Sequence, residues 1–228
     1  MDAVILLNKP AGMTSFDAVA KCRRIFHERK IGHTGTLDPE ASGLMIILLG
    51  KYTKLLPYCV KNHKAYQATL KLGEMTDTED IWGTIINTKT PSIHTEVEID
   101  NAVQSLTGDI LQVPPMYSAL KKDGKKLYEY ARQGIEIERE ARPVHISTLE
   151  VEKIDETNYR MNAVVSSGTY IRTLITDFGK QLDELAIMSS LIRTKIEHLS
   201  LKDACTFEDL ESGVSFLSPI QVIDPTYK

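Results

Sequence analysis

Residues 32–49 read Gly32-His33-Thr34-Gly35-Thr36-Leu37-Asp38-Pro39-Glu40-Ala41-Ser42-Gly43-Leu44-Met45-Ile46-Ile47-Leu48-Leu49. The first twelve surround Asp38 with three glycines and fix it between Leu37 and Pro39. Glycine reaches backbone conformations that other residues resist, and proline biases the residue before it, here Asp38, toward an extended conformation. A rigid loop presenting one acid is the expected outcome. The apolar run from Leu44 to Leu49 follows directly and reads as a buried strand, the kind of element that anchors a functional loop. Read alone, Asp38 has a second explanation, because Asp before Pro is a common turn starter.

Four further stretches decide between these readings. They are Asn8-Lys9-Pro10-Ala11-Gly12-Met13-Thr14-Ser15, then Lys64-Ala65-Tyr66 with Leu72-Gly73 and Thr76-Asp77-Thr78, then Val113-Pro114-Pro115-Met116-Tyr117-Ser118-Ala119-Leu120-Lys121, and finally Ser167-Gly168-Thr169-Tyr170-Ile171-Arg172-Thr173-Leu174. With the Asp38 loop they make five motifs, in an order that resembles the TruB-type tRNA pseudouridine synthases over residues 8–194. The resemblance implies an α+β pseudouridine synthase fold and isomerisation of uridine to pseudouridine at position 55 in the T loop of tRNA. No cofactor or metal is required by that reaction.

Residue roles follow from the same resemblance. The reaction breaks an N-glycosidic bond, turns the uracil over and forms a carbon–carbon bond, so the base must be flipped out of its stack and held in a closed pocket. Asp38 is then the catalytic carboxylate, either attacking the ribose anomeric carbon or removing a ribose proton. A carboxylate taken out of water drifts toward its protonated form, and Arg172 is the expected counter-ion. Tyr66 is expected to stack on the uracil and is the candidate general base, with Tyr170 and Leu191 as further pocket walls. His33 is placed to fill the space the base vacates. Lys9 is grouped with the substrate-binding residues, although its place beside Pro10 also suits a buttress under the loop. Without the motifs, His33 reads as a surface histidine, Tyr66 as a packing residue on an alternating strand, and Arg172 as a surface arginine in a first helical turn.

Composition sets the bounds. A chain of 228 residues buries a full core and is read as one catalytic domain over 1–228. No apolar run is long enough to span a membrane, and a cytoplasmic monomer is expected. Cys22, Cys59 and Cys205 are odd in number and widely spaced, which disfavours a disulfide framework and a zinc site. The net charge of −4 hides an asymmetry: residues 1–72 hold 11 lysines and arginines against 5 acids, a surplus of +6, and the remainder carries −10. A basic segment beside the Asp38 loop suits phosphate contacts.

Residues 109–142 stand apart as a basic, mobile arm in which Lys121, Lys122, Lys125 and Lys126 flank Asp123-Gly124. In the family the equivalent insertion is the thumb that grips RNA, here the T arm of tRNA. Two departures from the family pattern are visible. The chain stops at Pro225-Thr226-Tyr227-Lys228, where bacterial members continue into a small RNA-binding domain that is expected to be absent here. Leu191-Ile192-Arg193-Thr194 stands where Leu-Arg-Arg is usual, an exchange expected to weaken an RNA or carboxylate contact.

Patterning predicts strands at 3–7, 44–49, 64–72, 81–87, 143–154 and 159–166, and helices at 15–27, 96–106, 127–132 and 169–182. Asp123-Gly124 predicts a hairpin turn. Asp77, Glu79 and Asp80 read as a solvated turn. The irregular order of strands and helices argues for a mixed, mainly antiparallel central sheet flanked by helices. Two other classes share parts of this pattern. An RNA-binding module without catalysis has no need of Asp38 and Arg172, and a nucleoside hydrolase has no need of the basic segment or thumb.

Overall fold

The fold is described from a computed structural model, which covers residues 1–213 and 216–227. Along the chain run β1 (Ala3–Lys9), α1 (Ser15–Phe26), β2 (Ile31–His33), β3 (Ser42–Leu49), β4 (His63–Leu72), β5 (Glu74–Thr76), β6 (Ile85–Thr88), α2 (Glu96–Ser105) and β7 (Gly108–Gln112). They are followed by β8 (Lys121–Lys122), β9 (Lys125–Lys126), α3 (Leu127–Ala131), β10 (Arg142–Lys153), β11 (Asn158–Ser166), α4 (Ile171–Gln181), β12 (Ala186–Ile196), β13 (Leu199–Ser200) and α5 (Phe207–Ser212). The chain divides into two compact units: residues 1–67 with 191–228, and residues 68–190. Strands β4 and β12 each run from one unit into the other. No helix among the described residues is long and apolar enough to cross a membrane.

In the first unit the six residues Leu44 to Leu49 have no exposed surface, which is why an unbroken apolar run forms β3 here. Strand β1 pairs antiparallel along one edge of β3, from Ala3 opposite Leu49 to Lys9 opposite Gly43. The other edge is shared. Strand β2 takes its far end, with Ile31 opposite Leu49 and His33 opposite Ile47, and β12 takes its near end in parallel, with Arg193 opposite Gly43. The segment between β2 and β3 must therefore leave the sheet and return, and it carries Asp38. Val4, Leu6, Leu44, Ile46 and Leu48 pack with Ile196, Leu199 and Val222 into one core. Helix α1 is closed at its start by a capping box between Thr14 and Asp17, so Thr14 is its cap.

The second unit is antiparallel where β7, β10 and β11 meet: Gln112 lies opposite Arg142, and Val151 opposite Met161. The connection 113–141 therefore leaves and rejoins neighbouring strands. Within it β8 and β9 pair across Asp123 and Gly124, both at positive φ, 52° and 81°. That is the conformation a two-residue hairpin with Asp-Gly prefers. Helix α4 buries Ile171, Leu174, Ile175 and Phe178.

Three expectations need correction. Residues 81–87 do not form one strand. Side chains of Asp77 and Asp80 accept the backbone N–H groups of Thr84 and Trp82 and fold this stretch into a turn, leaving only the short β5–β6 pair. That turn is not simply solvated: Glu79 is half-buried and accepts the Thr173 hydroxyl at 2.7 Å, and burial raises its pKa. Strands β7 and β12 had no counterpart in the sequence reading, because neither GDILQ nor AIMSSLIRTKI shows the alternation or the unbroken apolar run that marks a strand.

Gly179 shows how tightly α4 meets the turn that follows it. A Cβ at this position would lie 2.6 Å from the Ala186 Cβ and 2.9 Å from the Glu184 carbonyl oxygen. Gly179→Ala is therefore expected to destabilise the protein by about 1–3 kcal/mol, the cost of overpacking. Urea denaturation measures it, and an unchanged midpoint would mean that the turn moves aside freely.

Candidate active site

The Asp38 loop is held by its backbone. Thr34 N–H donates to the Ile46 carbonyl at 3.2 Å as the chain leaves β2, and Ala41 N–H donates to the Asp38 carbonyl at 3.1 Å before β3 begins. Between them Ser15, the first residue of α1, uses one hydroxyl twice. Its Oγ accepts from Leu37 N–H at 2.9 Å and donates to the Leu37 carbonyl at 3.1 Å. Leu37 is buried, so the residue next to the acid is anchored both by its side chain and by its peptide groups. Met13 N–H donates to the Pro39 carbonyl at 3.2 Å. Asp38 itself is half-buried.

Two buried cations complete the hold. Lys9, with 0% of its surface exposed, donates from Nζ to the carbonyls of Pro10 at 2.7 Å, Met13 at 2.6 Å and Pro39 at 3.1 Å. Those three bonds fill an ammonium's donor capacity. Lys9 is thus the buttress that its place beside Pro10 suited, and it offers no surface to a substrate. Burial brings its pKa down to about 8, an effect opposed by the charges of Glu40 and Asp38 and reinforced by Arg193.

Arg193, 1% exposed, is the functional residue that sequence reading missed. Its Nε donates to the Leu44 carbonyl at 2.8 Å, Nη1 to Thr36 at 3.3 Å and Nη2 to Gly35 at 3.2 Å. One planar fork on β12 therefore grips the loop near its beginning and β3 at its start. The strand comes so close that a Cβ on Gly43 would sit 2.3 Å from the Arg193 carbonyl oxygen, and Gly43 has φ +113°. Glycine is required there on both counts. Ile192, where the resemblance expected arginine, is half-buried beside it.

Tyr66 on β4 is half-buried and Leu191 on β12 is buried, both in this unit. Thr194 Oγ1 donates to the Ala65 carbonyl at 3.3 Å, which fixes the backbone next to Tyr66. Lys64, two residues before Tyr66, is brought down to about 8 by burial and by the charges of Arg193 and Lys61. His33, at the mouth of the loop, is half-buried, and burial pushes its imidazole toward the neutral form.

The second unit holds Tyr170 and Arg172 at the start of α4. Gln112 pins the backbone of Tyr170 from both sides, accepting its N–H at 2.8 Å and donating to its carbonyl at 3.1 Å. Arg172 is buried rather than on the surface. Its Nη1 donates to the Thr78 carbonyl at 2.8 Å and its Nη2 to the Tyr117 carbonyl at 2.9 Å, with Asp80 Oδ2 3.9 Å from Nε. Three of the sequence motifs, around Thr78, Tyr117 and Arg172, are thereby joined.

The four lysines of the 109–142 segment are not equivalent. Lys121, Lys122 and Lys125 are exposed, Lys122 donating to the Glu138 carbonyl at 2.7 Å and Lys125 placing its ammonium 5.8 Å from the Tyr130 ring, whereas Lys126 is half-buried with its ammonium over the Tyr128 ring. Cys22, Cys59 and Cys205 are free thiols, and burial pushes Cys22 up to about 12.

Residues 23–171 match the model of the TruB family pseudouridylate synthase (N terminal domain). The chain is 44% identical over 228 residues to tRNA pseudouridine synthase B of Oceanobacillus iheyensis, covering 99% of this chain and 75% of that one. It is 48% identical over 211 residues to the enzyme of the same name from Clostridium perfringens, covering 92% and 72%. Among solved structures, a chain of a Cbf5–Nop10–Gar1 complex superposes with a TM-score of 0.71 at 30% identity, over 92% of this chain and 54% of that one. The chain thus spans about half the length of that solved relative.

The grip of Arg193 leads to a stability prediction. Arg193→Met leaves the buried Leu44 carbonyl without this donor, an unsatisfied buried group costing about 1–3 kcal/mol, and frees the less buried carbonyls of Gly35 and Thr36, so a loss of about 2 kcal/mol or more is expected. Arg193→Lys keeps the charge but not the fork, and its midpoint in urea is expected to fall between the two. A methionine variant within about 1 kcal/mol of wild type would show that the loop does not depend on this residue.

Proposed function

This chain belongs to the TruB pseudouridylate synthase family, and on that premise we propose that it isomerises a uridine of tRNA to pseudouridine, with Asp38 as the catalytic carboxylate. The observation that carries the reading is the loop in which Ser15, Lys9 and Arg193 fix the peptide groups from Gly35 to Pro39 around one acid. Position 55 in the T loop rests on the motif resemblance, and action as a monomer in the cytoplasm is the expectation carried over from the sequence.

The reaction is an isomerisation, so every atom of the substrate is retained apart from exchange of one proton with solvent. The N1–C1′ bond breaks, the uracil turns, and a C5–C1′ bond forms while the proton on C5 leaves to solvent and N1 takes one up. A carboxylate is needed to start the cleavage, as nucleophile at C1′ or as base toward a ribose proton. A rigid carrier matters because a misplacement of about 1 Å in a reacting group costs on the order of a hundredfold in rate. Tyr66 supplies a ring for the uracil and is the candidate base for the C5 proton. Leu191 is proposed as a pocket wall and His33 as the residue that fills the space left in the RNA, and the roles of Tyr170 as a further wall and of Arg172 as counter-ion rest on the motif resemblance.

Two experiments test this reading. Release of tritium from carbon 5 of labelled uracil in a tRNA transcript is expected from the wild type and not from Asp38→Asn, which is nearly isosteric and should still bind RNA. Retention of about a tenth of the wild-type single-turnover rate would remove Asp38 from the mechanism. Tritium release from free uridine, or release of free uracil, would instead point to a hydrolase.

The second concerns the thumb. Removing one lysine–phosphate ion pair flattens the logarithmic dependence of affinity on salt by about 0.9 when the RNA stem is treated as duplex DNA. Changing Lys121 and Lys125 to alanine is expected to flatten it by roughly 1–2, and adding Lys122→Ala and Lys126→Ala to change it little further. Titration of a T-arm stem-loop across a salt series measures both, and an unaltered slope in the fourfold variant would exclude a gripping role.

A further inference from the structure

Helix α1 buries Ser15, Ala18, Val19 and Cys22 and turns the opposite stripe outward. Residues 16, 23, 24 and 27 share that stripe at helical spacing. Phe16, at 69% exposure, is among the most exposed large apolar side chains of the described residues, and Arg24 and His27 lie beside it along the helix surface. The Arg23 guanidinium lies 5.8 Å from the Phe16 ring. Just past the helix, Arg29 and Lys30 continue the basic series.

Charge on this face is uncompensated. Among the described residues Arg23, Arg24, Arg29 and Lys30 take part in no ion pair. The nearby acids have other partners: Asp17 accepts the Thr14 hydroxyl and backbone N–H, and Glu28 pairs with the N-terminal ammonium at 2.7 Å. The core gains nothing from a phenylalanine left in water, and its position is specific. Phe16 follows Ser15, whose hydroxyl holds Leu37 next to Asp38. An aromatic ring at the end nearest the loop, with guanidinium groups leading away from it, is the combination that stacks an unpaired base and tracks a phosphate backbone.

We infer that this face of α1 is an RNA-contacting surface, on which Phe16 stacks an unpaired base near the modified uridine while Arg23, Arg24, Arg29 and Lys30 take the phosphates that lead from it. The inference rests on the functional reading above and adds to it the element that holds the substrate on the side of the first unit.

The test is binding of a T-arm stem-loop by the full chain across a salt series, with Phe16→Ala, the double variant Arg23→Gln/Arg24→Gln, and Lys153→Ala as a control on an exposed strand position elsewhere. Thermal melts establish that each variant is folded, as expected for a helix surface. Phe16→Ala is expected to weaken binding about tenfold with the salt slope unchanged, since stacking is not ionic. The double variant is expected to flatten the slope by about 1–2, and Lys153→Ala to alter neither quantity. Wild-type affinity in Phe16→Ala, or an unaltered slope in the double variant, overturns the proposal. So does binding to vesicles of anionic phospholipid with the same dependence on Phe16 and the arginines, which would make the face a membrane surface. Tritium release, followed in parallel, separates this inference from its premise. A wild type that needs α1 to bind RNA but releases no tritium refutes the isomerase, and one that releases tritium while the α1 variants bind normally refutes the surface alone.

Discussion

The guanidinium of Arg193 is the constraint on which the candidate site depends. A segment that leaves β2 and re-enters β3 has no ladder partners, and its carbonyls must be satisfied by something other than strand neighbours. Solvent could do this for a mobile loop. A loop that aims one carboxylate needs fixed donors instead, and a planar fork on the adjacent parallel strand supplies three in known directions, to Gly35, Thr36 and Leu44. The charge is taken out of water at a cost of several kcal/mol. Its bonds to three carbonyl oxygens offset that cost.

Lys9 repeats the device from the opposite edge of β3. Strand β1 ends opposite Gly43, so its last residue lies beside the start of β3, and the lysine reaches the Pro39 carbonyl. The loop is therefore clamped through Gly35 and Thr36 at one shoulder and Pro39 at the other, with Ser15 holding Leu37 between them. Side chains on β1 and α1 and, far along the chain, on β12 converge on the five residues Gly35 to Pro39. The N-terminal Lys9-Pro10 pair and the arginine of Leu191-Ile192-Arg193 are both explained by these backbone bonds.

What could be read from the sequence follows from which physical signal each element leaves. Strand β3 was legible because both of its faces are buried, and so the run Leu44 to Leu49 has no polar interruption. Helix α1 was legible from its amphipathic spacing. Strand β12 was not, because Ser189, Ser190, Thr194 and Lys195 give it a polar composition, and Arg193 resembles a solvent-facing member of that series although it is enclosed. The error at 81–87 has the opposite origin. Ile81, Trp82, Ile85 and Ile86 have strand-like side chains, but Asp77 and Asp80 capture backbone N–H groups, and a Cβ on Gly83 would meet the Thr78 hydroxyl at 2.1 Å. Local capping by aspartate outweighs β propensity there.

The second unit applies the same physics around Arg172. Its fork takes the carbonyls of Thr78 and Tyr117, again in segments with no strand partner at those positions, and it does so from the first turn of α4, where the helix dipole disfavours a cation. The placement is tolerated because Asp80 lies within 3.9 Å and because the bonds to carbonyls are made in a buried setting. In each unit, then, an arginine organises irregular backbone that carries a motif. A lysine at either position would present a point charge able to satisfy such carbonyls only by crowding around one atom, as Lys9 does, and could not hold two or three of them apart at fixed spacing. That difference is the physical reason the two arginines stand on regular elements, a strand and a helix, while the loops they organise carry the acid and the turn.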